Sequence, residues 1–268
     1  MLKTRLLTAF LVGPLILGSL FLLNTTGVAI MLGLFTAVAA FEWSLLSGLR
    51  VIGSLLFALM VVIFGVASLW VPLMVVSIVG TVWWLWAILE VFVFREQAGP
   101  LWRHSMARLF CGVLILVPTW RGCVALKGQD PRHPWLLIWV LVMVWAADSL
   151  AYFAGHAYGR HKLAPCVSPG KTWEGAVGGL GGAALVGALG AFLLGVGTRG
   201  VWGGMVFGVV IAVFSVVGDL LESKAKRLAG VKDSGRWLPG HGGILDRIDA
   251  LTAAVPLFVV GVRWLGVQ

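Results

Sequence analysis

The chain has 268 residues, of which 60% are hydrophobic and only 12% charged, with a mean hydropathy of +0.99. Soluble domains hold about 45–50% apolar and roughly 25% charged residues, so a soluble globular fold is excluded and an all-α polytopic integral membrane protein is predicted. The formal net charge of +9 does not call for nucleic acid, because the basic residues lie in loops between apolar runs rather than along one polar face.

A membrane span needs about 20 apolar residues at about 1.5 Å rise each. Residues 6–23, 27–46 and 51–71 each fit one, and the first is expected to stay as an anchor because further apolar segments follow at once without a convincing cleavage site. Residues 72–94 fit a fourth; one helix over 51–94 would measure roughly 66 Å, twice the bilayer core, so a break near Pro72 is required. The fifth is the weakest, since 109–120 supplies only about 18 Å of clean apolar helix and must recruit Arg108 or residues 121–126 by snorkelling. Residues 135–159, 175–197, 201–222 and 250–266 complete nine predicted spans. With the N-terminus cytoplasmic, fifteen of the 20 Lys and Arg residues fall on the inner side, against Arg121, Lys127, Arg132, Arg199 and Arg263 outside, which obeys the positive-inside rule. In the seventh span Gly175, Gly178, Gly179 and Gly182 recur at four-residue spacing and predict close helix packing. The 14 tryptophans, including the Trp83, Trp84, Trp86 cluster, read as interfacial anchors or lipid-facing bulk. Cys111, Cys123 and Cys166 have no metal-ligand spacing and read as ordinary thiols.

Four acids stand inside predicted spans: Glu42, Glu90, Asp148 and Asp219. A charge at the bilayer centre costs about 2.5–3.5 kcal/mol on insertion scales, so such groups face protein or a wet cavity. For Glu42 and Glu90, snorkelling or packing and a functional role stand equal. Asp148 and Asp219 have neighbours that favour function.

The stretch 223–249, SKAKRLAGVKDSGRWLPGHGGILDRID, carries six Lys/Arg and three Asp residues among five glycines. Glycines let backbone N–H groups approach an anion, basic side chains neutralise phosphate, and carboxylates hold a divalent cation. A second polar stretch runs from Asp148 to Gly175, with Tyr152 one turn after Asp148 and Arg160, His161, Lys162 and Lys171 following. Ser168 to Thr172 reads as a turn leading into the next helix, with Thr172 a candidate N-cap; the spacing is not that of a P-loop, because Pro165 stands where a glycine is required.

The run Ser223, Lys226, Arg227, Lys232, Asp233, Pro239, His241, Gly242, Gly243, Asp246, Arg247, Asp249 resembles the signature of the phosphatidate cytidylyltransferase (CDP-diacylglycerol synthase) family. The block DSLAY, followed by HKLAP and SPGKTWEG, resembles a second element of that family, in the same order. The resemblance is dense over 148–175 and 216–252 and compositional over the N-terminal half; His156, Arg160 and Ala225 depart from the family's usual residues.

What the resemblance implies is the reaction of CTP with phosphatidate to give CDP-diacylglycerol and pyrophosphate, at the cytoplasmic face of a bacterial inner membrane. It implies Mg2+, with room for a second cation, on Asp219 and Asp246, and Asp249 as a further ligand or a partner of one. Catalytic roles then fall on Asp219, Asp246, Lys226 and Arg247. Contacts to the nucleotide fall on Lys171, Arg227, Lys232, Asp233, His241, Gly242 and Gly243, and contacts to the lipid on Asp148, Tyr152, Lys162 and Ser168. His241 is placed on phosphate or ribose rather than as a base, since a lipid phosphate is already ionised near neutral pH; Asp233 could equally do no more than pair with Lys232 or Arg236. Residues 1–134 would form a scaffold that could also carry homodimer contacts, and 135–268 the catalytic bundle, with cytoplasmic loops 160–174 and 223–249. Two other functions stay open on residues alone: a transporter, for which no inverted repeat is evident, and a CTP-dependent lipid or polyprenol kinase.

Overall fold

The computed structural model of the chain describes residues 13–93, 99–128, 134–237, 240 and 242–266. Nine helices follow one another in these residues: α1 (Gly13–Leu22), α2 (Thr25–Leu46), α3 (Val51–Ala67), α4 (Leu73–Phe92), α5 (Ser105–Lys127), α6 (Trp135–Tyr158), α7 (Trp173–Leu193), α8 (Gly197–Leu228) and α9 (Leu245–Val262). Between α6 and α7 the chain forms a two-stranded antiparallel hairpin, β1 (Lys162–Ala164) and β2 (Ser168–Thr172), with Lys162 opposite Thr172 and Ala164 opposite Ser168. All the helices except α1 are long and apolar enough to cross a membrane; the predicted first span lies partly outside the described residues. The chain is an all-α polytopic membrane protein with one small hairpin.

Local chemistry sets the helix ends. Asn24 opens α2 by accepting a hydrogen bond from the Gly27 N–H at 2.8 Å. The break expected near Pro72 is present: α3 tightens into a 3-10 turn over Ser68–Trp70, Val71 is extended, and Pro72 sits at the N-cap of α4. The weakest predicted span is a continuous 23-residue helix, α5, about 34 Å long. Its Arg108 is accommodated because the guanidinium donates to the carbonyls of Ser47 (3.0 Å) and Trp102 (3.3 Å) and to the Ser105 hydroxyl (3.2 Å).

Two boundaries differ from expectation. α8 does not stop near residue 222 but runs 32 residues to Leu228, so Ser223 to Leu228 are its last turns rather than loop. Lys226 and Arg227 complement the dipole there, and Gly230, at φ 73°, ends the helix in a Schellman motif in which Gly230 N–H donates to Arg227 O and Val231 N–H to Lys226 O, each at 3.0 Å. α9 begins at Leu245 rather than 250, which makes Asp246 and Asp249 helical.

The tryptophans also correct the sequence reading. Trp43, Trp83, Trp84, Trp102, Trp120 and Trp139 are buried in the bundle. In an apolar interior an indole N–H gains from an acceptor, and helix carbonyls supply one to several of these: Trp43 donates to Arg108 O, Trp120 to Ala29 O and Trp139 to Val186 O, whereas Trp83 and Trp102 are packed without one. Pro256 inside α9 has no N–H for the carbonyl of Thr252, which instead accepts from Trp84 Nε1 at 2.9 Å and Thr119 Oγ1 at 3.1 Å. These contacts fasten α4 and α5 to α9.

Helices α6, α7 and α8 approach through small residues, as the glycine spacing predicts. A Cβ at Gly179 would lie 2.8 Å from the Ala147 carbonyl, and one at Gly187 or Gly208 would overlap the carbonyls of Gly204 or Ala183. Gly208→Leu is therefore expected to lower the thermal midpoint of the detergent-solubilised protein by overpacking of about 1–3 kcal/mol, whereas Gly181→Ala, with open space around the added carbon, should change stability by less than about 0.5 kcal/mol. Equal midpoints for the two variants would show that close α7–α8 contact is not what stabilises this half of the bundle.

Candidate active site

The end of α6, the hairpin, the start of α7, the end of α8 and the start of α9 surround a cavity of about 720 Å3. α6 contributes Asp148, Tyr152 and His156; the hairpin contributes Ser168, Lys171 and Thr172; α8 contributes Asp219, Ser223, Lys226 and Arg227. Lys232 and Asp233 line it from the following loop, and Asp246, Arg247 and Asp249 from the first turns of α9. The two polar stretches that lie far apart in sequence thus meet in one place. Among the residues predicted for the site, Lys162 is exposed on β1 and does not line the cavity, and neither do Gly242 and Gly243; His241 lies outside the described residues.

The hairpin is held over the opening by its own ends. Trp173 N–H donates to His161 O at 2.9 Å, and the Glu174 carboxylate accepts from the His161 N–H and lies 2.6 Å from His161 Nδ1. Thr172 caps α7, its hydroxyl accepting from Gly175 N–H at 3.1 Å. Gly155 and Gly175 permit this approach, since a Cβ on either would lie 3.0 Å from the Thr172 hydroxyl. From the other side Arg227 donates through Nε to the Val167 carbonyl at 3.3 Å, tying α8 to the hairpin turn.

The charges form two groups. In the first, Lys226 Nζ lies 2.8 Å from Glu222 Oε2 and 2.5 Å from Asp246 Oδ1, with all three side chains largely buried. Asp246 Oδ2 accepts from the N–H groups of Ser234 (2.9 Å) and Gly243 (2.8 Å), so both its oxygens are engaged. Gly242 is at φ 82°, where a side chain would be strained and its Cβ would press on Asp246 Oδ2 at 2.7 Å. The Gly243 N–H, predicted as a phosphate donor, here belongs to Asp246. Glu222 was not singled out from sequence, although its position four residues before Lys226 on one helix was a usable signal.

In the second group, Lys171 Nζ lies 2.6 Å from Asp219 Oδ2, whose other oxygen accepts from Ser223 at 3.2 Å. Asp249 is within electrostatic reach of Asp219, Lys171 and Asp148, and Asp148 of Asp219, Lys171 and Arg247. Among the described residues Lys171 pairs with Asp219, and Asp249 is also within electrostatic reach of Glu222 in the first group. Asp233 makes no ion pair with Lys232 or Arg236 among the described residues.

The donor set can be tested against Mg2+. Among the described residues no three His, Cys, Asp or Glu side chains converge as a ready-made cage. Mg2+, however, keeps several waters and is held through one or two carboxylates plus substrate phosphates, and the five aspartates lining the cavity supply oxygen donors suited to that mode. The residues fit a cation whose coordination the substrate completes.

Tyr152 is 68% exposed and stacks on His156, ring centroids 6.1 Å apart at an interplanar angle of 6°. Both residues line the cavity from α6.

The model of the cytidylyltransferase family matches residues 3–265. A phosphatidate cytidylyltransferase of Pseudomonas aeruginosa is 43% identical over 261 residues, covering 96% of each chain, and one of Haemophilus influenzae is 37% identical over 282 residues, covering 96% of this chain and 97% of the relative. One from Synechocystis is 48% identical over 126 residues, 46% of this chain and 42% of its own. A match of this extent, over a fold whose polar cavity is built from the motif residues, makes the chain a member of the phosphatidate cytidylyltransferase family and a nucleotidyltransferase.

Proposed function

We propose that this protein joins CTP and phosphatidate into CDP-diacylglycerol and pyrophosphate, at the cytoplasmic face of a bacterial inner membrane. The observation that carries the reading is the cavity at the ends of α6, α8 and α9, where clustered carboxylates and basic side chains meet in a chain of this family. In the reaction a phosphate oxygen of the lipid forms a bond to the α-phosphorus of CTP. The bond from that phosphorus to the β-phosphate bridging oxygen breaks, and pyrophosphate leaves with the electron pair. No proton has to be abstracted from an ionised lipid phosphate, so a general base is unnecessary.

The chain's task is to orient two anions and to neutralise the charge that gathers on the leaving group. Lys171, Arg227, Lys232 and Arg247 are the cations available to the phosphates. Lys171 rests on Asp219, a contact it can exchange for a phosphate oxygen. Lys226 is held between Glu222 and Asp246 and serves to fix Asp246 as much as to meet phosphate. Asp148, Tyr152 and Ser168, which line the cavity from α6 and the hairpin, are the residues that would meet the lipid headgroup. Asp219 and Asp249, with Asp246 adjoining, are the acids that would hold Mg2+, which when bound supplies charge neutralisation and alignment of the phosphates.

Purified protein in detergent, given phosphatidate and CTP labelled in cytosine or at the γ-phosphate, is expected to move the cytosine label into lipid and to release the γ-label as pyrophosphate. γ-Label in the lipid would instead identify a kinase. Chelation should abolish turnover and Mg2+ restore it. Asp219→Asn is expected to lower kcat by about 100-fold or more in protein that still inserts and retains its thermal midpoint; Asp246→Asn should lower kcat as far and the midpoint as well, because it breaks the buried pair with Lys226, while Lys127→Ala and Arg199→Ala, outside the cavity, stay near wild type. Wild-type rates in either aspartate variant would remove that residue from the site.

A further inference from the structure

Glu42 lies on α2 in the N-terminal half and is buried, at 1% exposure, about 200 positions in sequence from the residues it touches. Its Oε2 accepts from the Ser234 hydroxyl at 3.0 Å and from Leu245 N–H at 2.8 Å, and its Oε1 accepts from Ile244 N–H at 3.2 Å. Ile244 and Leu245 open α9, so the carboxylate supplies acceptors to helix N–H groups that have no intrahelical partner and sits at the positive end of the dipole. The segment is shaped around it: at Gly235 and Gly243 any side chain would collide with the Glu42 carboxylate.

Asp246 grips the same segment from the opposite side, through the N–H groups of Ser234 and Gly243. Ser234 thus gives its hydroxyl to Glu42 and its N–H to Asp246. The strip of backbone that carries Lys232 and Asp233 into the cavity is pinned between a carboxylate from α2 and a carboxylate of the site. A parallel contact secures α8: Lys224 Nζ lies 2.8 Å from Glu90 Oε1 on α4 and donates to the Glu90 carbonyl at 2.8 Å, with both side chains buried. Two of the spans that carry the site, α8 and α9, are thus each held by an acid from the N-terminal helices.

We infer that Glu42 is a positioning residue for the reaction: it seats Ser234 and the start of α9, and so sets where Asp246, Lys232 and Asp233 stand. It lines no part of the cavity and touches no reacting atom. The inference rests on the cytidylyl-transfer reading only for the consequence in rate; the seating itself is independent of the activity.

The test uses the full chain in detergent, with Glu42→Gln, Ser234→Ala and the double variant. Glutamine keeps the volume of glutamate but replaces one acceptor oxygen with a donor facing N–H groups. Glu42→Gln is expected to lower kcat for cytidylyl transfer by about tenfold or more, since small misplacements of positioned groups are amplified in rate, and to shift the KM for CTP less. Ser234→Ala should act in the same direction and more weakly. Because the two groups work through one contact, the double variant should be no slower than Glu42→Gln alone. Amide hydrogen exchange should quicken at residues 234–245 in Glu42→Gln while α6 and α7 keep wild-type protection. Wild-type kcat in Glu42→Gln, fully additive losses in the double variant, or exchange raised evenly over the whole bundle would each overturn the assignment. If Glu42→Gln fails to insert, Ser234→Ala carries the same two readouts. If wild-type protein transfers no cytidylyl group, the proposed function fails, and the exchange pattern still decides whether Glu42 seats the segment.

Discussion

One lysine held between two acids ties the site to the fold. Lys226 projects from α8 into a largely buried gap and meets Glu222 of its own helix at 2.8 Å and Asp246 of α9 at 2.5 Å. Burying two carboxyl groups around one ammonium is unfavourable unless further donors face them. The N–H groups of Ser234 and Gly243, on the segment that leads into α9, provide them on Asp246. The ion pair therefore needs the segment, and the segment needs the acid it wraps. Breaking a buried pair by removing one partner typically costs about 3–5 kcal/mol, a sizeable part of what holds a domain together, so the arrangement resists drift.

The same rule, that polar groups inside the bundle must find partners, accounts for features of the scaffold with no chemistry of their own. A proline in α9 frees a carbonyl, and Trp84 and Thr119 from two other helices take it up. Arg108 is tolerated inside α5 because two carbonyls and a hydroxyl ring its guanidinium. Between α6, α7 and α8, where glycines line the contact, close backbone approach adds to one such bond, from Trp139 to the Val186 carbonyl. One half of the protein is thus joined mainly by indoles and hydroxyls and the other mainly by close approach at small residues. The cavity lies in the second half, where helices come close enough for residues from three of them to face one another.

What could be read from the amino-acid sequence follows the range of each interaction. The Thr172 cap is a contact over three residues, and the break at Pro72 is a property of one; both are local and both are legible. The two polar blocks are legible because they are dense, and most of their side chains do share one cavity. Glu42 meets partners some 200 positions away and Trp84 meets Thr252 at a separation of 168, and no periodicity announces either. Tryptophan in an apolar run is ambiguous between bilayer and bundle until the acceptor for its N–H is known. The end of α8 was misplaced for another reason: its last turns carry charges that resemble a loop, although lysine, arginine, alanine and leucine are all good helix formers and Gly230 marks the stop. Binary pattern and propensity disagreed there, and propensity was the better guide.

Under the proposed function the site has to serve two substrates that cannot enter the same solvent. A nucleotide triphosphate carries several negative charges and stays in water, while a diacyl lipid keeps its chains in hydrocarbon. Helix ends are where a bundle meets both, and the extra length of α8 becomes functional on that account: at 32 residues, about 48 Å, it exceeds the roughly 30 Å hydrocarbon core and carries Lys226 and Arg227 beyond it. Asp219, seven residues before Lys226, lies about 10 Å deeper along the same helix, close to where a lipid phosphate would sit. A single rigid rod thus spaces the group nearest the lipid from the groups nearest the nucleotide. With α9 pinned at its first turn, the relative depth of Asp219 and Asp246 is set by helix geometry rather than by loop conformation, which is the condition for bringing two phosphates into line without a moving part.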